Sequence, residues 1–201
     1  DEAAAQTVIT LTSTTGWQVS AVLAFASTTR TASEAELKTV STVDSATQVT
    51  LTAGLTNAHS GTAPTIGEVA NLTRNIKIRS TSGTNTTYVL STGLGNLDVD
   101  YVEFINIGTS AGTAHDCVVV NNTTGTASYR YCSIHETTAA GARGFYVIAA
   151  SGTAAEISNN VAYGIIGVQF GNIATTATSV FDSNLSMRCT VAGFAFVDVG
   201  G

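Results

Sequence analysis

Tyr129-Arg130-Tyr131-Cys132-Ser133-Ile134 has three counterparts along the chain, and their spacing decides the fold. They are Val99-Asp100-Tyr101-Val102-Glu103-Phe104, Ile157-Ser158-Asn159-Asn160-Val161-Ala162 and Phe181-Asp182-Ser183-Asn184-Leu185-Ser186. Each opens on a large apolar residue, passes a polar one and reaches Val, Cys or Asn at its fourth position. Successive copies begin 30, 28 and 24 residues apart. A second family interleaves with the first: Asp116-Cys117-Val118-Val119-Val120, Gly144-Phe145-Tyr146-Val147-Ile148, Gly167-Val168-Gln169-Phe170 and Gly193-Phe194-Ala195-Phe196-Val197, at spacings of 28, 23 and 26. Two strand families that advance together describe a solenoid. A coil of three short strands and three turns needs roughly two dozen residues and stacks on its predecessor at about 4.8 Å. One coil cannot bury its inward face alone, so several must stack. The expected fold is therefore all-β, a right-handed parallel β-helix. A β-sandwich also has short strands and frequent turns, but it does not produce two phased families.

The alignment makes specific claims about side chains. Asn160 and Asn184 fall at one position, with Val102 and Cys132 as their equivalents, so an asparagine ladder should span the later coils. Asn tolerates the left-handed backbone of a tight corner, and its amide can bond to the same group one coil away. Asp100 should lie beside Arg130 as an exposed ion pair of little energetic value. Asp98 and Asp100 share a face and read as strand decoration rather than a Ca²⁺ pair. Tyr129, Tyr131, Phe145 and Phe194 are expected to fill the interior.

Residues 1–74 read differently and form a β-rich N-terminal cap, with the β-helix occupying 75–201. Thr7-Val8-Ile9-Thr10-Leu11 and the stretch from Val19 to Phe25 are strand-like. Leu37 to Val43, the turn Asp44-Ser45-Ala46-Thr47 and Gln48 to Thr52 read as a hairpin. Ser33 to Lys38 has the composition of a single helical turn. Phe194 to Val199 ends on a strand, so further chain or another subunit is expected over the last coil.

Composition agrees. Charged residues are 11% of the 201 and hydrophobic ones 44%, so the chain is neither disordered nor helix-rich; Thr, Ser, Ala, Gly and Asn replace the missing charge. With 8 Lys+Arg, unclustered, and a net charge of −6, no nucleic-acid partner is expected. No apolar stretch approaches the ~20 residues of a membrane span. The first residue is Asp1 and no signal segment follows, so the N-terminus is expected to be processed or to continue in a longer chain. Cys117, Cys132 and Cys189 are an odd set and read as small buried side chains. No cysteine pair or His spacing suggests a metal, and no cofactor is expected.

One ordered series is more specific. Gly16-Trp17-Gln18-Val19, Glu36, Val49-Thr50-Leu51, Leu55, His59 and Glu68-Val69-Ala70-Asn71-Leu72-Thr73-Arg74-Asn75-Ile76 follow one another. The series resembles the β-helix region of the cell-migration-inducing hyaluronan-binding proteins and the fibrocystin-like proteins. Motifs carry the resemblance over residues 16 to 80, and the coil pattern alone carries it beyond. It implies a β-helix in an extracellular or cell-surface, glycan-facing setting. Where the family has Gly-Asp after the Trp, this chain has Ser20-Ala21, so a carboxylate is missing.

For chemistry, the best cluster is His115-Asp116 on one coil with Arg143 on the next. Such a trio could supply a base, an orienting acid and a clamp for an acidic sugar. The favoured reading is that these are solvated turn residues of a polar outer face. His135 and Glu136 follow another strand at a turn and are binding candidates. So is Trp17, as a sugar platform or as a buried cap residue. His59, Glu68 and Arg74 are expected to meet in a polar contact. The leading expectation is a non-catalytic scaffold of an adhesin, surface fibre or virion with weak glycan binding. The alternative is a polysaccharide lyase or hydrolase acting on an acidic glycan.

Overall fold

The computed structural model describes residues 1–29, 31–81, 88–93, 95–108, 117–122, 125–137, 141–148, 153–172 and 178–196; for 93, 121, 122, 153, 168, 169, 172 and 178 it describes the backbone alone. The chain divides into two compact units, Asp1–Thr73 and Arg74–Gly201.

The N-terminal unit is one antiparallel sheet. Its strands are β1 (Val8–Thr10), β2 (Val22–Phe25), β3 (Glu36–Ser45), β4 (Gln48–Leu51) and β5 (Val69–Asn71), in the order β1-β4-β3-β2-β5. β3 and β4 form the expected hairpin, with two register shifts along it. The helical turn is a 3-10 turn at Ala32–Glu34. Alternation along β4 turns Val49 and Leu51 into a core with Ile9, Leu23, Phe25, Val40 and Leu55. Trp17 packs against that core, partly buried.

The second unit is the parallel β-helix. Its strands are β6 (Ile76–Arg79), β7 (Val89–Gly93), β8 (Leu97–Asp100), β9 (Val102–Ile105), β10 (Val118–Asn122), β11 (Gly125–Arg130), β12 (Ser133–His135), β13 (Phe145–Val147), β14 (Thr153–Ser158), β15 (Val161–Tyr163), β16 (Val168–Asn172), β17 (Thr178–Asp182), β18 (Leu185–Met187) and β19 (Ala192–Phe196). Three parallel sheets result: β7-β10-β13-β16-β19, β8-β11-β14-β17 and β6-β9-β12-β15-β18. Each coil contributes one strand to each sheet. The first repeat family pairs as aligned, with Val99 opposite Tyr129, Tyr129 opposite Ile157 and Ile157 opposite Phe181.

The second family forms a sheet too, but its register differs from the expected one. Val118 pairs with Phe145, Phe145 with Phe170 and Phe170 with Phe194, displaced by one or two residues from the alignment on Asp116, Gly144, Gly167 and Gly193. Interior packing sets this register. Phe145 stacks on Phe170 at 5.5 Å and Phe170 on Phe194 at 5.1 Å, ring centroid to centroid. A one-residue slip would turn Phe145 outward, and a two-residue slip would break the stack.

Side-chain volume changes along the inward columns as the coils advance. The inward column of one sheet shrinks from Phe104 to Ile134 to Ala162 to Ser186. Across the core, Val89 and Val118 give way to Phe145 and Phe170. Tyr129 and Phe145 are interior as expected. Phe194 lies in the same column but remains exposed on the last described coil. Tyr131 is not interior: it stands at an outer corner, half exposed.

Two columns of left-handed corners bracket the short strands. One holds Tyr101, Tyr131, Asn159 and Ser183, at φ of 57°, 55°, 56° and 52°. The other holds Asn106, Glu136, Gly164 and Arg188. Asn160 and Asn184 therefore do not occupy the left-handed position themselves; they follow it and bond the corner from within.

Candidate functional site

The outer face of the β8-β11-β14-β17 sheet is built from alternate residues, the inward ones being Leu97, Val99, Ala127, Tyr129, Ala155 and Ile157. Asp98, Ser128 and Glu156 fall in one outward row, and Asp100, Arg130, Ser158 and Asp182 in the next. Arg130 grips Asp100 with two bonds, Nε to Oδ1 at 2.8 Å and Nη2 to Oδ2 at 3.0 Å. Asp98 Oδ1 stands 3.7 Å from Arg130 Nη2, and Glu156 Oε2 stands 4.0 Å from Nη1. The hydrogen bond to Asp100 raises the Arg130 guanidinium above its ordinary value, against the opposing effect of desolvation. Ser128 Oγ donates to Asp98.

Around the corner, Tyr101 and Tyr131 stack with ring centroids 5.0 Å apart and planes 7° from parallel. Both are solvent-exposed, at 57% and 43%. Left-handed backbone costs an ordinary residue roughly 1–2 kcal/mol, and a bulky residue there is an outlier. Arg74 Nε donates to the Tyr131 carbonyl at 2.6 Å, and burial presses the Arg74 guanidinium below its ordinary value.

On the β6-β9-β12-β15-β18 sheet, Glu103 gathers three donors. His135 Nε2 lies 3.0 Å from its Oε1, while Lys77 Nζ at 3.0 Å and the Arg74 backbone N–H at 3.1 Å reach Oε2. Burial by itself would raise the Glu103 carboxyl, but these bonds hold it below its ordinary value. His135 is buried; its Nδ1 makes no hydrogen bond among the described residues, and Glu136 Oε1 stands 3.6 Å away. Of the expected pair, only Glu136 is exposed.

Arg143 lies with its guanidinium carbon 3.6 Å above the centre of the Tyr146 ring. Tyr146 in turn lies over Gly171 on the next coil, where a Cβ would come within 2.5 Å of the ring. His115 and Asp116 lie outside the described residues.

In the N-terminal unit, His59 meets Glu36 rather than the exposed Glu68, and Arg74 belongs to the other unit. His59 Nδ1 donates to the Ala26 carbonyl at 2.8 Å and Nε2 lies 3.0 Å from Glu36 Oε1. Glu36 also accepts from Lys38 and from the backbone N–H groups of Thr56 and Asn57. Burial opposes ionisation, but the Asn57, Lys38, Thr56 and His59 bonds together bring the carboxyl down to about 2. Glu68 fails as the partner because it sits on the exposed side, just before β5.

Glu103 was missed as the partner of His135, although the repeat contains the signal. Pairing Val102 with Cys132 places Glu103 opposite Ser133, two residues along the same face from His135. The exposed tyrosine corner also left a trace, since Tyr101 and Tyr131 align with the polar Asn159 and Ser183.

Among the described residues no group of three His, Cys, Asp or Glu could hold a metal ion, and no helix is long and apolar enough to cross a membrane. Cys117, Cys132 and Cys189 are free thiols; burial raises Cys132 above its ordinary value. No protein-family model, curated protein or solved structure matches the chain.

Proposed function

We propose that this chain is a non-catalytic β-helical scaffold of an extracellular or virion surface assembly, an adhesin- or fibre-type module that contacts glycans without cutting them. One observation carries the reading: polar side chains of successive coils are bonded to one another. Asn160 bonds to Asn184, Arg130 to Asp100, and His135 and Lys77 to Glu103. General acids and bases must be within reach of a substrate proton. Groups bonded between coils hold the coils together and are not poised for proton transfer. Arg143, the clamp of the alternative acidic-glycan enzyme, is stacked on Tyr146. The extracellular setting, and kinship with the hyaluronan-binding and fibrocystin-like proteins, are supported by the ordered motifs from Gly16 to Ile76.

The test is incubation with hyaluronan, polygalacturonate and neutral polysaccharides, followed by sizing of the products. Chain lengths should stay unchanged. Robust shortening that disappears in Asp116→Ala would overturn the scaffold reading.

A further inference from the structure

We propose that the corner formed by Asp100, Tyr101, Arg130 and Tyr131 is a binding site for a neutral glycan chain. The inference rests on the scaffold reading in that the bound chain is not cut. If binding fails and no cleavage is seen, the site is lost and the scaffold stands.

The corner column offers a comparison within one molecule. Four coils place Tyr101, Tyr131, Asn159 and Ser183 at the same left-handed position. Asn and Ser are short polar residues that serve a tight turn. Tyrosine is ill suited to that backbone and gains only partial burial in exchange, because both side chains remain substantially exposed. Local strain of this kind is retained where the strained group has a task. The two rings, stacked with planes 7° from parallel and centroids 5.0 Å apart, make an aromatic column running from coil to coil. Each ring covers one face of the other, so a sugar's C–H face can lie only on a ring face turned away from the pair, while a glycan running along the column meets the ring edges.

Neighbouring groups indicate the ligand's chemistry. Tyrosine presents an apolar ring with a polar tip, the combination that suits a sugar's C–H face and its hydroxyls. Asp100 and Arg130 precede the two tyrosines and are partly exposed, with side chains 39% and 33% accessible. Their interlocked planar groups keep lone pairs and N–H donors on the outer side, available to vicinal hydroxyls. Charge then selects among glycans. Arg130 faces three carboxylates, Asp100 at 2.8 Å, Asp98 at 3.7 Å and Glu156 at 4.0 Å, so the surface is net negative. An anionic polymer would be repelled from it. The expected ligand is thus unlike the acidic polysaccharide that the family resemblance implies.

Titration calorimetry with cellohexaose, xylohexaose and mannohexaose, and with a hyaluronan hexasaccharide, tests this on the native chain and on Tyr101→Asn and Tyr131→Asn. Asn occupies the same corner at Asn159, so both variants should keep the native circular dichroism and melt no lower than the parent. At least one neutral oligosaccharide should bind, and each variant should weaken it about ten-fold or more. Hyaluronan should not bind. Absence of binding to all three neutral probes, unchanged affinity in the folded variants, or preference for hyaluronan would each overturn the proposal.

Discussion

Asn160 completes the corner of the preceding coil at Cys132. Its Oδ1 accepts the Cys132 backbone N–H at 2.8 Å, and its Nδ2 donates to the Tyr129 carbonyl at 2.8 Å. Asn184 repeats the arrangement one coil on, accepting from the Asn160 backbone N–H at 3.0 Å and donating to the Ile157 carbonyl at 2.6 Å. A corner interrupts the sheet ladder, so its backbone groups need side-chain partners, and the ladder supplies them. Asn160→Ala would orphan a buried donor and a buried acceptor together. The expected loss is about 2–4 kcal/mol, read from denaturant unfolding. A loss below about 0.5 kcal/mol would show that the ladder is dispensable.

Glu36 makes the N-terminal unit acid-sensitive. Its carboxyl falls from an ordinary 4.5 to about 2 in the folded chain. A lowered carboxyl contributes stability that is present above the unfolded value and lost as pH falls through the folded one. Melting temperature should therefore drop between about pH 4.5 and 2, by the equivalent of about 2 kcal/mol after allowance for solvent screening. Glu36→Gln should be less stable at neutral pH and flatter across that window. An identical pH profile in the two proteins would refute the assignment.

Tyr129 carries its hydroxyl into the core, where Oη has no hydrogen-bond partner among the described residues. Burial accordingly raises the phenol above its ordinary value. Tyr129→Phe keeps the ring against Phe104 and Phe145 and removes a buried polar atom. Stability should stay level or rise by about 1 kcal/mol. A destabilisation of similar size in thermal unfolding would mean that the hydroxyl is bonded.

The Asp100–Arg130 pair is two-pronged but exposed, which limits its contribution. A double-mutant cycle with Asp100→Ala and Arg130→Ala should give a weak coupling that fades as salt is added. A strong coupling that persists in high salt would require a drier environment than the corner provides.

Much of the architecture was legible in the residues. The repeat Val99/Tyr129/Ile157/Phe181 predicted both the sheet and its pairing, because it alternates sharply between large apolar and polar side chains. The Asn160/Asn184 ladder and the Asp100–Arg130 pair followed from that alignment. The glycine-led family was harder to register. Its coils open on similar Gly-apolar steps, and only the Phe145–Phe170–Phe194 stack distinguishes one offset from another.

The sequence by itself determined that the chain is all-β, that its coils repeat at roughly two dozen residues, and which residues of one repeat meet across coils. These are local and periodic properties, written in alternation and spacing. The tertiary structure alone decided that Tyr131 faces out with Tyr101, that Glu103 gathers His135 and Lys77, and that His59 meets Glu36 rather than Glu68. Those outcomes depend on where each corner turns left-handed and on how deeply the packing of distant strands buries each face. Neither quantity is carried by any single stretch of the chain.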